Sequence, residues 1–264
     1  MKPAFGLDEL VHQIDMATKA LCDLLTRAND YRATPIDVEY LLTSKIFETL
    51  LEAGYTARAE HLNRMATGPL RKAVRKFFGS TRTDVAVLDG PFVRALIEVK
   101  IEVTTPAKVV ADMKKIARTL RARHRGQPNP LGAVVFQTYV GHGKKPLSEA
   151  EALARASEIE AGLRDSLRSF ADRHADFEID LKTLRGPDAG LSPIELFTEF
   201  DEANPDTPIQ YLEHGATCLC FYVVTLQPRA VAGPDLTGLT PFQAMKARQQ
   251  WARDNPYDPK QDED

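Results

Sequence analysis

The sequence predicts an α/β fold: a core of helix, three strands, helix and strand, with a helix added before it and further helix and strand elements after it. Three observations predict this. Apolar residues recur at three-and-four spacing over 7–28 and 36–51. They alternate or run together over 55–62, 83–103 and 131–140. An Asp89-Gly90-Pro91 turn interrupts the longest alternating stretch.

In chain order, Leu10, Val11, Ile14, Ala17, Leu21, Leu24 and Leu25 lie on one face of a first helix. Thr34 caps a second helix with Pro35 at its first position, and the helix runs through Leu42, Ile46 and Leu50 to a stop at Gly54. Residues 55–62 read as a strand, and the basic stretch that follows reads as a short helix ending at Gly79. Residues 83–88 and 92–103 then form a β-hairpin. On its second strand Ile97, Val99, Ile101 and Val103 share one face, while Glu98, Lys100 and Glu102 share the other. A basic helix starts at Pro106 and reaches about Arg123, and Leu131–Val140 is a central strand. Ser148 and Glu151 make a capping box for a long helix reaching about His174. Strands are expected over 177–184 and 217–226, joined by an acidic, proline-containing connection with a short helix over 192–200. Residues 241–251 have helical character, and the last eleven or so read as disordered. The division expected is an N-terminal helical element over 1–33, an α/β domain over 34–227 with its core at about 36–140, and an extension over 228–264.

No stretch of about 18 apolar residues and no leader-like segment is visible, so no membrane partner is expected and a cytoplasmic location is the default. The three cysteines, Cys22, Cys218 and Cys220, form no zinc-binding set and read as packing thiols. Charge is unevenly distributed. Residues 64–125 hold fifteen Lys/Arg against five Asp/Glu, a local +10 in a chain of net charge −3, which leaves −13 for the remainder. A basic middle in an acidic body suits a polyanion partner, nucleic acid first.

An acid, one residue and a lysine recur four times: Glu98-Val99-Lys100, Asp112-Met113-Lys114, Asp180-Leu181-Lys182 and Asp258-Pro259-Lys260. Positions two apart on a helix do not share a face, which sets Asp112 aside, and Asp258 falls in the tail. Asp180 and Lys182 lie on a strand with no acid-bearing strand before it. Only Glu98 and Lys100 have an upstream acid, Asp84, that a tight turn brings alongside, within reach of one cation.

With that hairpin placed, the segment over about 36–140 resembles the PD-(D/E)xK nuclease superfamily, whose restriction-endonuclease-like core is helix, three strands, helix, strand. The superfamily carries an acid on its second strand and an (E/D)xK on its third; here Asp84 stands in Arg82-Thr83-Asp84-Val85 without the eponymous proline. The resemblance implies a metal-dependent nuclease acting most readily on DNA. Asp84, Glu98 and the carbonyl of Val99 become ligands of Mg²⁺, with Mn²⁺ the alternative, and Lys100 orients or deprotonates the attacking water or, as the two nearby carboxylates favour, stabilises the transition state electrostatically. It also implies a glutamate from the helix before the sheet, Glu39 or else Glu48. Glu102 and Gln137 are peripheral candidates. Lys114, Lys115, Arg118, Arg121 and Arg125 recur at three-and-four spacing as a phosphate-binding stripe, to which Arg71, Lys72 and Arg75 add. The loop Gly141-His142-Gly143-Lys144-Lys145 lacks the spacing of a phosphate loop. Two alternatives stay open: a binding or assembly module that does not cleave, and a nuclease effector of a defence system activated by a partner. A homodimer or higher homo-oligomer fits each.

Overall fold

The computed structural model describes residues 5–27, 38–62, 82–89, 92–101, 103–124, 130–140, 147–201 and 204–229, with isolated helical positions at 243, 246, 247 and 250. Among them the helices and strands follow the order α1 (Leu7–Arg27), α2 (Val38–Glu52), β1 (Thr56–Leu62), β2 (Arg82–Asp89), β3 (Phe92–Lys100), α3 (Pro106–His124), β4 (Leu131–Val140), α4 (Glu149–Arg173), β5 (Phe177–Asp201) and β6 (Asn204–Pro228). The strands make one sheet in the order β1-β2-β3-β4-β6-β5. Every neighbouring pair is antiparallel except β3 with β4, which α3 joins as a crossover. The protein is therefore mixed α/β with a mostly antiparallel sheet.

Strand alternation divides the core into two layers. Val85, Ile97, Val99 and Val135 face α1 and α2, which contribute Leu10, Ile14, Leu42 and Ile46 among others. Helix α1 thus shares a core with α2. On the opposite face Ala86, Leu96, Val134 and Phe136 meet Val109, Met113, Ile116 and Leu120 of α3 together with Leu163 and Phe170 of α4. The capping box of α4 is present: Ser148 Oγ accepts from Glu151 N at 3.3 Å, and Glu151 accepts from Ser148 N at 2.8 Å.

Two expectations need correction. First, β3 ends at Lys100, and Val103 is buried with α3 instead of sharing the face of Ile97 and Val99. The chain turns there, and the Val103 N–H is satisfied by Gln137 O at 2.9 Å. Second, 192–200 is strand, not helix. It belongs to β5, which stays paired with β6 from Leu191↔Ala216 to Phe200↔Pro208, with one register shift between Pro193 and Glu195. A sustained antiparallel partner satisfies the backbone there, and Pro193 is tolerated because β5 is an edge strand. Beyond Val140↔Cys218 the two strands continue as a two-stranded ribbon.

The seating of α3 on the sheet depends on Gly132 of β4. A Cβ there would collide with Cγ2 of Ile116 and lie 3.0 Å from Cδ1 of Leu120. We expect Gly132→Ala to lower stability by about 1–3 kcal/mol, the usual cost of overpacking, read as a lower denaturation midpoint at unchanged m-value. An unchanged midpoint would show that α3 has slack over β4.

Candidate active site

Strand β2 pairs with β1 from Leu88 down to Arg82 but leaves β3 after Val85↔Ile97. One step further, the same register sets Asp84 opposite Glu98, and opposed residues of an antiparallel pair share a face. Where the ladder stops, the N–H of Val99 donates to Asp84 Oδ2 at 2.7 Å. Val99 therefore meets Asp84 through its N–H, whereas the sequence expectation concerned its carbonyl. Its side chain is buried on the α1 and α2 face.

Glu98 was expected on a polar face, yet it is 1% exposed because α3 covers that side of the sheet. Lys115 Nζ forms an ion pair with its Oε1 at 2.7 Å, outside ideal hydrogen-bond alignment, and that ammonium is the one partner of this buried oxygen among the described residues. Burial pushes Glu98 up to about 7, Lys115 pulls it back, and the charges of Asp84 and Asp112 add to the rise.

Lys100 comes next. Its Nζ stands 3.5 Å from Glu39 Oε1 and 4.0 Å from Asp112 Oδ2. Burial works to lower its pKa, but Asp112, Glu39, Asp84 and Glu98 together outweigh that and hold it above the ordinary lysine value. Asp112 is itself raised, by burial first, with Lys100 and Lys115 opposing and Asp84 and Glu39 adding. Six ionisable side chains are thus electrostatically coupled: Asp84, Glu98, Lys100, Glu39, Asp112 and Lys115.

The structure brings together Asp84, Glu98, Lys100 and Glu39 from the predicted set. It does not bring Glu48, which pairs with Lys45 at 2.7 Å on the exposed side of α2. Gln137 is buried, and its Oε1 has no hydrogen-bond partner. It follows Phe136, the register partner of Lys100, and by alternation its side chain belongs to the face opposite Glu98. Asp180 and Lys182 register with Thr225 and Val223 at the far edge of the sheet, with no acid opposite.

The basic stripe is altered by packing. Lys115 turns onto Glu98, and Arg121 is bound by Asp176, at 2.7 Å from both Nε and Nη2, and by His174 Nδ1 at 2.8 Å. Arg121 thereby ties the end of α3 to the end of α4. Lys114 and Arg118 are half-buried on α3. Arg71, Lys72, Arg75, Arg125, Glu102, Asp258 and the loop 141–145 lie outside the described residues.

Asp112 is the residue that sequence reasoning set aside and the fold restores. Spacing along one helix excludes only a local Asp112-x-Lys114 motif; it does not say where the helix will dock. One signal was available, since Asp112 and Lys115 directly precede Met113 and Ile116 of the buried stripe and so flank that stripe.

Among the described residues no three Asp, Glu, His or Cys side chains stand in metal-holding geometry, and the ammoniums of Lys100 and Lys115 are seated among the carboxylates. In donor type, though not in present arrangement, these carboxylates suit a hard divalent cation. Glu98 Oε1 is buried near Asp84 with only the Lys115 ammonium as its partner, a place that another cation could take. No family model, curated protein or solved structure matches the chain.

Proposed function

We propose that the protein is a Mg²⁺-dependent nuclease that hydrolyses phosphodiester bonds, with DNA as its substrate, on a restriction-endonuclease-like core formed by α2, β1, β2, β3, α3 and β4. The observation that carries this reading is a buried Glu98 carboxylate, close to Asp84 and Lys100, whose Oε1 has only the Lys115 ammonium to offset its charge. A fold has little reason to bury such a group for stability alone, because an ionised carboxylate without full hydrogen bonding is costly in an apolar setting. The element order supports the same reading, as does the +10 charge of residues 64–125.

In this reading Asp84 and Glu98 hold the cation. When bound, it polarises a phosphoryl oxygen and lowers the pKa of a water. Asp84 is oriented for that task by the Val99 N–H, which fixes Oδ2. Burial lowers the pKa of Lys100 but four carboxylates raise it above the ordinary lysine value, which favours the ammonium and suits it to stabilise the negative charge that builds on the phosphoryl oxygens. Glu39 and Asp112 position that ammonium from two helices.

A second reading, a module that binds nucleic acid without cleaving it, draws on Lys115, whose ammonium already neutralises Glu98 inside the protein. Incubating supercoiled plasmid, linear duplex and RNA with the protein in Mg²⁺ or EDTA separates the two. We expect Mg²⁺-dependent cleavage of DNA. Binding that weakens with salt, with every substrate intact, would instead select the module.

A further inference from the structure

We propose that Lys115 is the resident counter-ion of Glu98, keeping the cation's place in the metal-free protein and withdrawing to Asp112 when a divalent cation binds. The inference rests on the metal reading above and adds a moving part to it.

Three observations lead to it. Lys115 Nζ stands 2.7 Å from Glu98 Oε1, close enough to neutralise it, yet outside ideal hydrogen-bond alignment with that oxygen. The contact is one of charge and can be replaced by another charge. Next, the two partners differ in freedom. The Glu98 side chain is 2% exposed and fixed in the sheet, while that of Lys115 is 25% exposed and hangs from α3 on a flexible four-carbon stem. Only the lysine can leave. Finally, a second carboxylate is within its reach. Asp112 precedes Lys115 by three residues on α3, a spacing that makes helix side chains neighbours, and the two are already electrostatically coupled.

A cation on Glu98 and an ammonium on the same oxygen would be only about 4 Å apart, where like charges repel strongly. Lys115 therefore gives way, and Asp112 receives it. Lys115 acts as a positioning residue: it lets the sheet bury Glu98 without metal and sets how tightly metal binds. Because the ammonium competes for Glu98, its removal strengthens cation binding.

Two measurements test this on the full chain. Mn²⁺ affinity, from the electron paramagnetic resonance signal of free Mn²⁺, should rise about tenfold or more in Lys115→Met and not in Lys115→Arg, which keeps the charge. In the wild-type protein, amine labelling read by mass spectrometry should show Lys115 reacting several-fold faster with Mg²⁺ than with EDTA. A folded Lys115→Met that binds Mn²⁺ no more tightly than wild type, or Lys115 labelling indifferent to Mg²⁺, overturns the inference. If Mn²⁺ binding to wild type is lost in Glu98→Gln but unchanged in Lys115→Met, the metal reading survives and this inference falls. If neither wild type nor Lys115→Met binds Mn²⁺, both fall.

Discussion

Asp84→Asn should lower Mg²⁺-dependent cleavage by about 10³-fold or more while leaving the fold intact, a loss on the scale seen when one preorganised charge-stabilising group is removed. The expectation follows from the two uses of this side chain. Its carboxylate accepts the Val99 N–H at 2.7 Å, a structural role that the asparagine carbonyl can take over. Its charge, opposite Glu98, is what would hold the cation, and asparagine has none. Asp84→Ala should lose both, so it should melt lower than Asp84→Asn at equal inactivity. Lys100→Ala should reduce the rate to a similar degree with little effect on Mn²⁺ affinity, because it acts on developing charge and not on the metal. Initial rates of plasmid nicking, set beside thermal melts, separate these cases. Full activity in Asp84→Asn would remove this residue from the site.

Glu98→Gln should make the metal-free protein more stable at pH 8 and inactive with Mg²⁺. The sign follows from the raised pKa. In the unfolded chain this carboxyl ionises near 4.5, in the folded protein near 7, so between those values the folded state holds a proton that the unfolded state has released. Its favourable contribution is complete at low pH and is lost as pH rises through about 7. A separation of this size corresponds to a cost on the order of 3 kcal/mol at pH 8. Glutamine keeps the shape and cannot ionise, and Lys115, released from its partner, has Asp112 nearby. In EDTA the variant should therefore melt roughly 5 °C or more above wild type at pH 8 and close to it at pH 4. Coincident melting curves for the two proteins from pH 4 to 9 would mean that Glu98 is not held against its own charge.

Much of the site was legible in the sequence because it depends on local rules. Period-two alternation puts Glu98 and Lys100 on one face, and the turn at Asp89 brings Asp84 back beside them. Capping chemistry marked the start of α4 at Ser148. What was not legible depends on how elements dock. The apolar stripe within 106–124 marks which side of α3 is buried but not which strand it meets; the absence of a Cβ at Gly132 lets Ile116 and Leu120 approach β4. Docking turned Glu98 from a wet strand residue into a buried one, moved Lys115 and Arg121 from a surface stripe into ion pairs, and brought Asp112 to Lys100. The ribbon was hidden for a related reason. Prolines and glycines over 186–208 signal a connection locally, whereas the long antiparallel pairing with β6 is a property of two distant segments together.

Anomalous diffraction from crystals of the protein soaked in Mn²⁺ locates the cation and Lys115 in one experiment. We expect one anomalous peak about 2.1–2.3 Å from carboxylate oxygens of both Asp84 and Glu98, with Lys115 Nζ displaced from its position 2.7 Å from Glu98 Oε1. A well-occupied Mn²⁺ elsewhere on the chain, with Lys115 still on Glu98, would contradict it.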